Sequence, residues 1–140
     1  MTDEPELPEN AVTVVREFFA ALELGAVAEA LELVHPDIVW KNTGAPDVRG
    51  IKRVGPVLRG LGGKHFGFSA DMHYIAQNAS GLVATDRTDY LRLGPVRIAF
   101  HVSGNFELAD GRIILWDDHF GYGDLLRGTR DGLIAAVRGR

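Results

Sequence analysis

The chain has 140 residues, 46% hydrophobic and 24% charged, which fits one globular domain with a real core. It has no cysteine, which excludes a disulfide framework, a thiol nucleophile and a thiolate zinc site. A net charge of −4 argues against a general nucleic-acid footprint, and no apolar run is long enough to span a bilayer, so neither partner is expected.

Residues 1–8 carry two prolines and three acids and read as a flexible arm before a single domain over 9–140. The opening MTDEPELPEN lacks the apolar run of a signal peptide, so a cytoplasmic protein is expected. A helix is predicted from about Glu9 to Leu24, because Val15, Phe18, Phe19 and Leu22 recur at helical spacing. Gly25 breaks it. A second helix fits Val27 to Val34, ended by His35-Pro36, since the residue before proline disfavours helix. Ile38 to Asn42 reads as a short strand and Asn42 to Pro46 as a loop. Ile51 to Leu61 fits a third helix despite Gly55 and Pro56 inside it. The glycines of Gly60-Leu61-Gly62-Gly63 read as the end of that helix.

From Phe66 the hydrophobic period changes to two. Strands are predicted at about Phe68–Gln77, Leu82–Leu93, Val96–Leu108 and Arg112–Phe120, separated by turn signals at Asn78–Gly81, Gly94-Pro95 and Asp110-Gly111. Such short connections imply an antiparallel meander. A closing helix fits Tyr122 to Val137. Helices first, then a sheet, then a last helix make an α+β fold.

The strand after Leu82 carries charges on the wrong face. Val83, Thr85, Arg87, Asp89, Leu91 and Leu93 share the side with apolar ends, which should face the core. Arg87 and Asp89 then point inward, where full charges need partners. On the final strand Ile114, Trp116, Asp118 and Phe120 share a face, and Asp118 lies between two aromatics. The forked guanidinium of Arg87 can serve both carboxylates. Ile38, Trp40 and Asn42 share a face on the short strand, which makes Asn42 another inward polar group. A structural ion pair is the plainer account of these charges. A pocket with two carboxylates in different surroundings, able to divide acid and base roles, is the sharper one.

These residues resemble the limonene epoxide hydrolase family, within the nuclear-transport-factor-2-like (SnoaL-like) superfamily, and most closely its mycobacterial members. The resemblance covers nearly the whole chain and is carried by Arg87-Thr88-Asp89 and Trp116-Asp117-Asp118, joined by the Gly-Pro and Asp-Gly turns, and by the weaker Val39-Trp40-Lys41-Asn42-Thr43-Gly44. It implies a strongly curved, cone-shaped, mostly antiparallel sheet covered by the N-terminal helices and closed by the C-terminal one. It also implies a homodimer that adds water to a small apolar epoxide without cofactor or metal. In that carry-over Asp118 is the general base that activates water, Asp89 the general acid that protonates the epoxide oxygen, and Arg87 orients both. Asn42 helps hold the water. The family's tyrosine two residues before the asparagine is replaced by Trp40, whose indole N–H can donate to the water but cannot accept from it.

Other chemistries find less support. His35, His65, His73, His101 and His119 show no metal-ligand spacing, and Ser69, Ser80 and Ser103 lie in no nucleophile elbow. Two readings compete with hydrolysis on the same scaffold: epoxide opening to a cyclic ether, which need not hold a water, and ligand binding without turnover.

Overall fold

The computed structural model describes residues 8–61 and 66–139. The expected arm lies outside these residues apart from Pro8, which opens the first helix, and His65 and the Gly62-Gly63 pair lie outside them too. Helices α1 (Pro8–Glu23) and α2 (Val27–Glu32) come first, then strands β1 (Val34–Asn42) and β2 (Val48–Arg49) and helix α3 (Ile51–Leu61). Strands β3 (Phe66–Gln77), β4 (Val83–Leu93), β5 (Val96–Ala109) and β6 (Arg112–His119) follow, and helix α4 (Tyr122–Arg138) closes the chain. The six strands form one curved open sheet in the order β2-β1-β6-β5-β4-β3. Every pairing is antiparallel except β1 with β6, so the expected α+β fold and β3–β6 meander are present. No helix among the described residues is long and apolar enough to cross a membrane.

The core lies between α1, α3 and the inner face of the sheet. Val15, Phe18, Phe19 and Leu22 are all buried on one face of α1, as their spacing predicts. Phe18 meets Trp116 edge-on at 5.1 Å between ring centroids, and Phe19 meets Phe106 edge-on at 5.7 Å. Pro56 is accommodated within α3, which is anchored by buried Val54 and Leu58.

Several expectations need correction. The second helix stops at Glu32 rather than Val34, because Val34 already belongs to β1, buried and paired with Ile113 of β6. The strand therefore begins four residues before Ile38. Its register with β6 breaks between Val34 and Val39, and Pro36, which has no N–H to donate, sits in that break. The predicted loop after Asn42 leads into the two-residue strand β2, whose Val48 pairs with Trp40. On β6 the register shifts against Glu107 and Leu108, so Ile113, not Ile114, is the fully buried residue at that end. Leu93, at the tip of β4, is 37% exposed although it shares parity with the core face.

The turns match their residues. Asp110 and Gly111 have φ of 55° and 76°, which is the backbone of a two-residue Asp-Gly hairpin loop.

Candidate active site

β4 places Thr85, Arg87 and Asp89 on the buried side of the sheet, as alternation requires. Across β5, which lies between them, β6 presents Asp118 on the same side. Arg87 is fully buried and joins the two carboxylates. Its Nε donates to Asp89 Oδ1 at 2.7 Å and its Nη2 to Asp89 Oδ2 at 3.1 Å. The same Nη2 donates to Asp118 Oδ2 at 2.7 Å. Its remaining nitrogen, Nη1, donates to Thr85 Oγ1 at 3.1 Å. The guanidinium also lies 4.7 Å from the ring centroid of Phe19.

The two aspartates are held unequally. Asp89 receives a forked pair of bonds from Arg87, whereas Asp118 receives one, and Asp118 Oδ1 accepts no hydrogen bond from any described residue. Burial raises the pKa of both carboxyls, and Arg87 opposes the rise in each. For Asp118, 6% exposed, desolvation dominates and the nearby Asp89 adds to it, which pushes its pKa up to about 6. For Arg87, burial works to lower the pKa, but the combined pull of Asp118 and Asp89 raises it.

β1 completes the site. Its parallel register sets Asn42 beside Asp118 and Trp40 beside Trp116. The two indoles stack at 4.2 Å with an interplanar angle of 12°, and neither Nε1 has a hydrogen-bond partner among the described residues. Thr43, next along the chain, ties the ends of β1 and β6 together: its N–H donates to Asp118 O at 3.2 Å, and Phe120 N–H donates to Thr43 Oγ1 at 3.2 Å. Tyr122 at the start of α4 donates to Thr43 O at 2.7 Å.

Asp89, Asp118, Asn42 and Trp40 all line one cavity of about 240 Å³. The rest of its wall is apolar, with Leu22, Leu58, Phe68, Leu91, Phe100 and Leu125 among the contributors. Arg87 does not line the cavity; it sits behind the carboxylates and fixes them from below. The five residues singled out in the sequence are thus brought together. Thr85 and Gly104 were missed as parts of the site. Parity already put Thr85 on the inner face, but an inward threonine is no anomaly. Gly104 carried only the weak signal of a glycine inside a strand.

The outer face of the sheet is separate. His101 contacts Asp86 there, His73 shares a hydrogen bond with Thr88 at 2.8 Å, and His119 lies 3.2 Å from Asp117, turned away from Asp118. No cluster of three or more His, Asp or Glu among the described residues is arranged to hold a metal ion.

Residues 9–131 match the family model of the limonene-1,2-epoxide hydrolase catalytic domain. The chain is 42% identical over 101 residues to epoxide hydrolase EphG of Mycobacterium tuberculosis, a stretch covering 72% of this chain and 66% of that protein. It is also similar to the solved structure of an LEH-like epoxide hydrolase of M. tuberculosis, with a TM-score of 0.90 and 35% identity over 97% of this chain and 100% of the other. A protein proposed to be a polyketide cyclase, from Pseudomonas putida, shares the fold at a TM-score of 0.75 and 16% identity, over 85% of this chain and 97% of its own.

Proposed function

The chain belongs to the limonene-1,2-epoxide hydrolase family, and on that footing we propose that it adds water to a small apolar epoxide and releases a vicinal diol. The observation that carries this reading is the pair of carboxylates held by one buried arginine at the wall of an otherwise apolar cavity. Such a wall offers an apolar substrate few polar partners among the described residues beyond the two carboxylates and Asn42.

In this reading Asp118 is the general base, Asp89 the general acid and Arg87 the residue that orients both. Asp118 takes a proton from water as the water oxygen bonds to one epoxide carbon. The carbon–oxygen bond breaks, and the epoxide oxygen takes the proton of Asp89. Each positioned group contributes roughly 10²–10⁴-fold. Asn42, which lines the cavity beside Asp118, holds the water together with Trp40 on the same wall, whose indole N–H has no partner among the described residues. The two carboxyls share one proton and titrate as a unit. In the free site that proton favours Asp118, because Asp89 is better held as an anion by its forked pair with Arg87. The reacting form carries it on Asp89, so the two forms differ by one proton passed within the pair. After turnover Asp118 returns its proton to Asp89.

Turnover of apolar epoxides in ¹⁸O-labelled water tests the reading, with label expected in the diol. An unlabelled cyclic ether would replace hydrolysis with cyclisation. Asp118→Asn and Asp89→Asn should each nearly abolish diol formation in folded protein, and near-wild-type turnover in either variant would reject the acid and base roles of the pair. The family resemblance also supports a homodimer, which sedimentation of the purified chain checks.

A further inference from the structure

Three of the guanidinium's edges are accounted for by different partners, and the third partner is neutral. Nη1 of Arg87 donates to Thr85 Oγ1, and the Thr85 hydroxyl in turn donates to Gly104 O at 3.1 Å. With its own proton committed to that carbonyl, the hydroxyl oxygen is left to accept from the arginine. Thr85 is only 4% exposed, so water does not replace this bond easily. Gly104 stands between Thr85 and Asp118 in the ladder, paired with Thr85 on one side and with Asp118 on the other. A Cβ added at Gly104 would come within 2.5 Å of Asp118 Oδ1 and 2.6 Å of Arg87 Nη1. Both atoms therefore crowd the same point above this glycine. Yet no hydrogen bond joins them, and Asp118 Oδ1 keeps its lone pairs free of any described donor.

We propose that Thr85, acting above the side-chain-free Gly104, is a positioning residue that holds Nη1 of Arg87 back from Asp118, so that the arginine grips Asp118 through Oδ2 alone and leaves its carboxylate the stronger base. The consequence for turnover rests on the hydrolase reading; the hydrogen-bonding role does not. A hydroxyl suits the task because it accepts the bond without adding a third negative charge to compete for the guanidinium. Without it, buried Nη1 loses its acceptor, and Asp118 Oδ1, which crowds the same point above Gly104, is a free acceptor beside it among the described residues. The Arg87–Asp118 pair then closes in a forked geometry, and Asp118 becomes the weaker base. The titratable groups facing Asp118 are Arg87 and Asp89, both from β4; β5 offers Gly104 and Val102 there, and β1 offers Trp40 and Asn42, none of which titrates.

The test follows the carboxyl carbon of Asp118 by ¹³C NMR through a pH titration in wild type, Thr85→Val, Thr85→Ala and Thr85→Ser, with the signal assigned by its loss in Asp118→Asn. The valine and alanine variants should lower the Asp118 midpoint by about one pH unit or more, while serine keeps it. With an epoxide substrate, kcat in the first two should fall by up to about tenfold and recover with serine. A midpoint unchanged in the folded valine or alanine variant, or an equal shift in the serine variant, overturns the proposal. So does failure of both the valine and alanine variants to fold, which would make Thr85 a purely structural residue. If wild type turns over no epoxide, the hydrolase reading falls, and the titration still decides the role of Thr85.

Discussion

Replacing Asp118 by asparagine should make the protein more stable at neutral and alkaline pH while it removes activity. When both aspartates are ionised, the site buries two negative charges against the single positive charge of Arg87. The cost shows in Asp118, whose pKa in the fold is about 6 against 3.8 unperturbed. Below 3.8 both folded and unfolded chains carry the proton. Between 3.8 and about 6 the unfolded chain has lost it and the folded one has not, so stability falls as pH rises through that window and then levels off. At about 1.4 kcal/mol per pH unit, the interval from 3.8 to about 6 is worth roughly 3 kcal/mol. Asp118→Asn removes this loss. Arg87 keeps its forked pair with Asp89, and the asparagine oxygen can still accept from Nη2, so no charge is left alone. Urea unfolding of wild type and variant at roughly pH 4 and roughly pH 8 measures the effect. The variant should gain up to about 3 kcal/mol on wild type at the higher pH and little at the lower. A variant less stable than wild type at the higher pH, or a difference that does not shrink on acidification, would refute the reasoning.

The same titration governs turnover. The working pair carries one proton, so kcat/KM should be bell-shaped, and its upper limb, where the shared proton is lost, should fall near pH 6; a rate still rising well above that pH would contradict the assignment. Trp40→Phe keeps the stack on Trp116 but deletes the indole donor, and kcat should drop about five- to tenfold without loss of folding, as for one hydrogen bond of about 1 kcal/mol. Gly128→Ala drives a methyl group into the backbone oxygen of Ala99, which cannot step aside, so thermal unfolding should show a loss of about 1–3 kcal/mol.

Much of this was legible in the amino-acid order, for identifiable reasons. Period-two alternation is rigid, so placing Val83 in the core placed Arg87 and Asp89 there too. The Asp110-Gly111 pair fixed a hairpin because its φ values suit few other residues. What escaped depended on partners distant in the chain. Val34 is a strand residue because Ile113 pairs with it, although its own neighbours suit the end of a helix. The Ile113/Ile114 choice was lost because the bulge against Glu107 and Leu108 shifts parity by one, and two adjacent isoleucines give no sign of which is inward. At the site, charges in an apolar strand announced themselves, whereas the parts that hold them in place did not. A threonine and a glycine are ordinary in any strand, and their meaning comes only from what lies across the sheet.

That asymmetry follows from how the two carboxylates meet. Asp89 is on β4 and Asp118 on β6, and these strands are not neighbours. Strands two apart lie roughly 9–10 Å from each other, so the two carboxylates meet only by reaching toward the arginine between them. An arginine can bridge that span if the strand between them raises no side chain in its path. At the crossing point β5 supplies Gly104, whose missing Cβ is the space in which Asp118 Oδ1 and Arg87 Nη1 sit. The site therefore needs three strands in register: one with arginine and aspartate two residues apart, one with glycine, and one with aspartate. A larger residue at 104 would part the two aspartates while leaving every charge in the sequence unchanged. The fold shared with a protein from Pseudomonas putida at 16% identity supplies the curved sheet, but the joining of the two carboxylates depends on this one crossing.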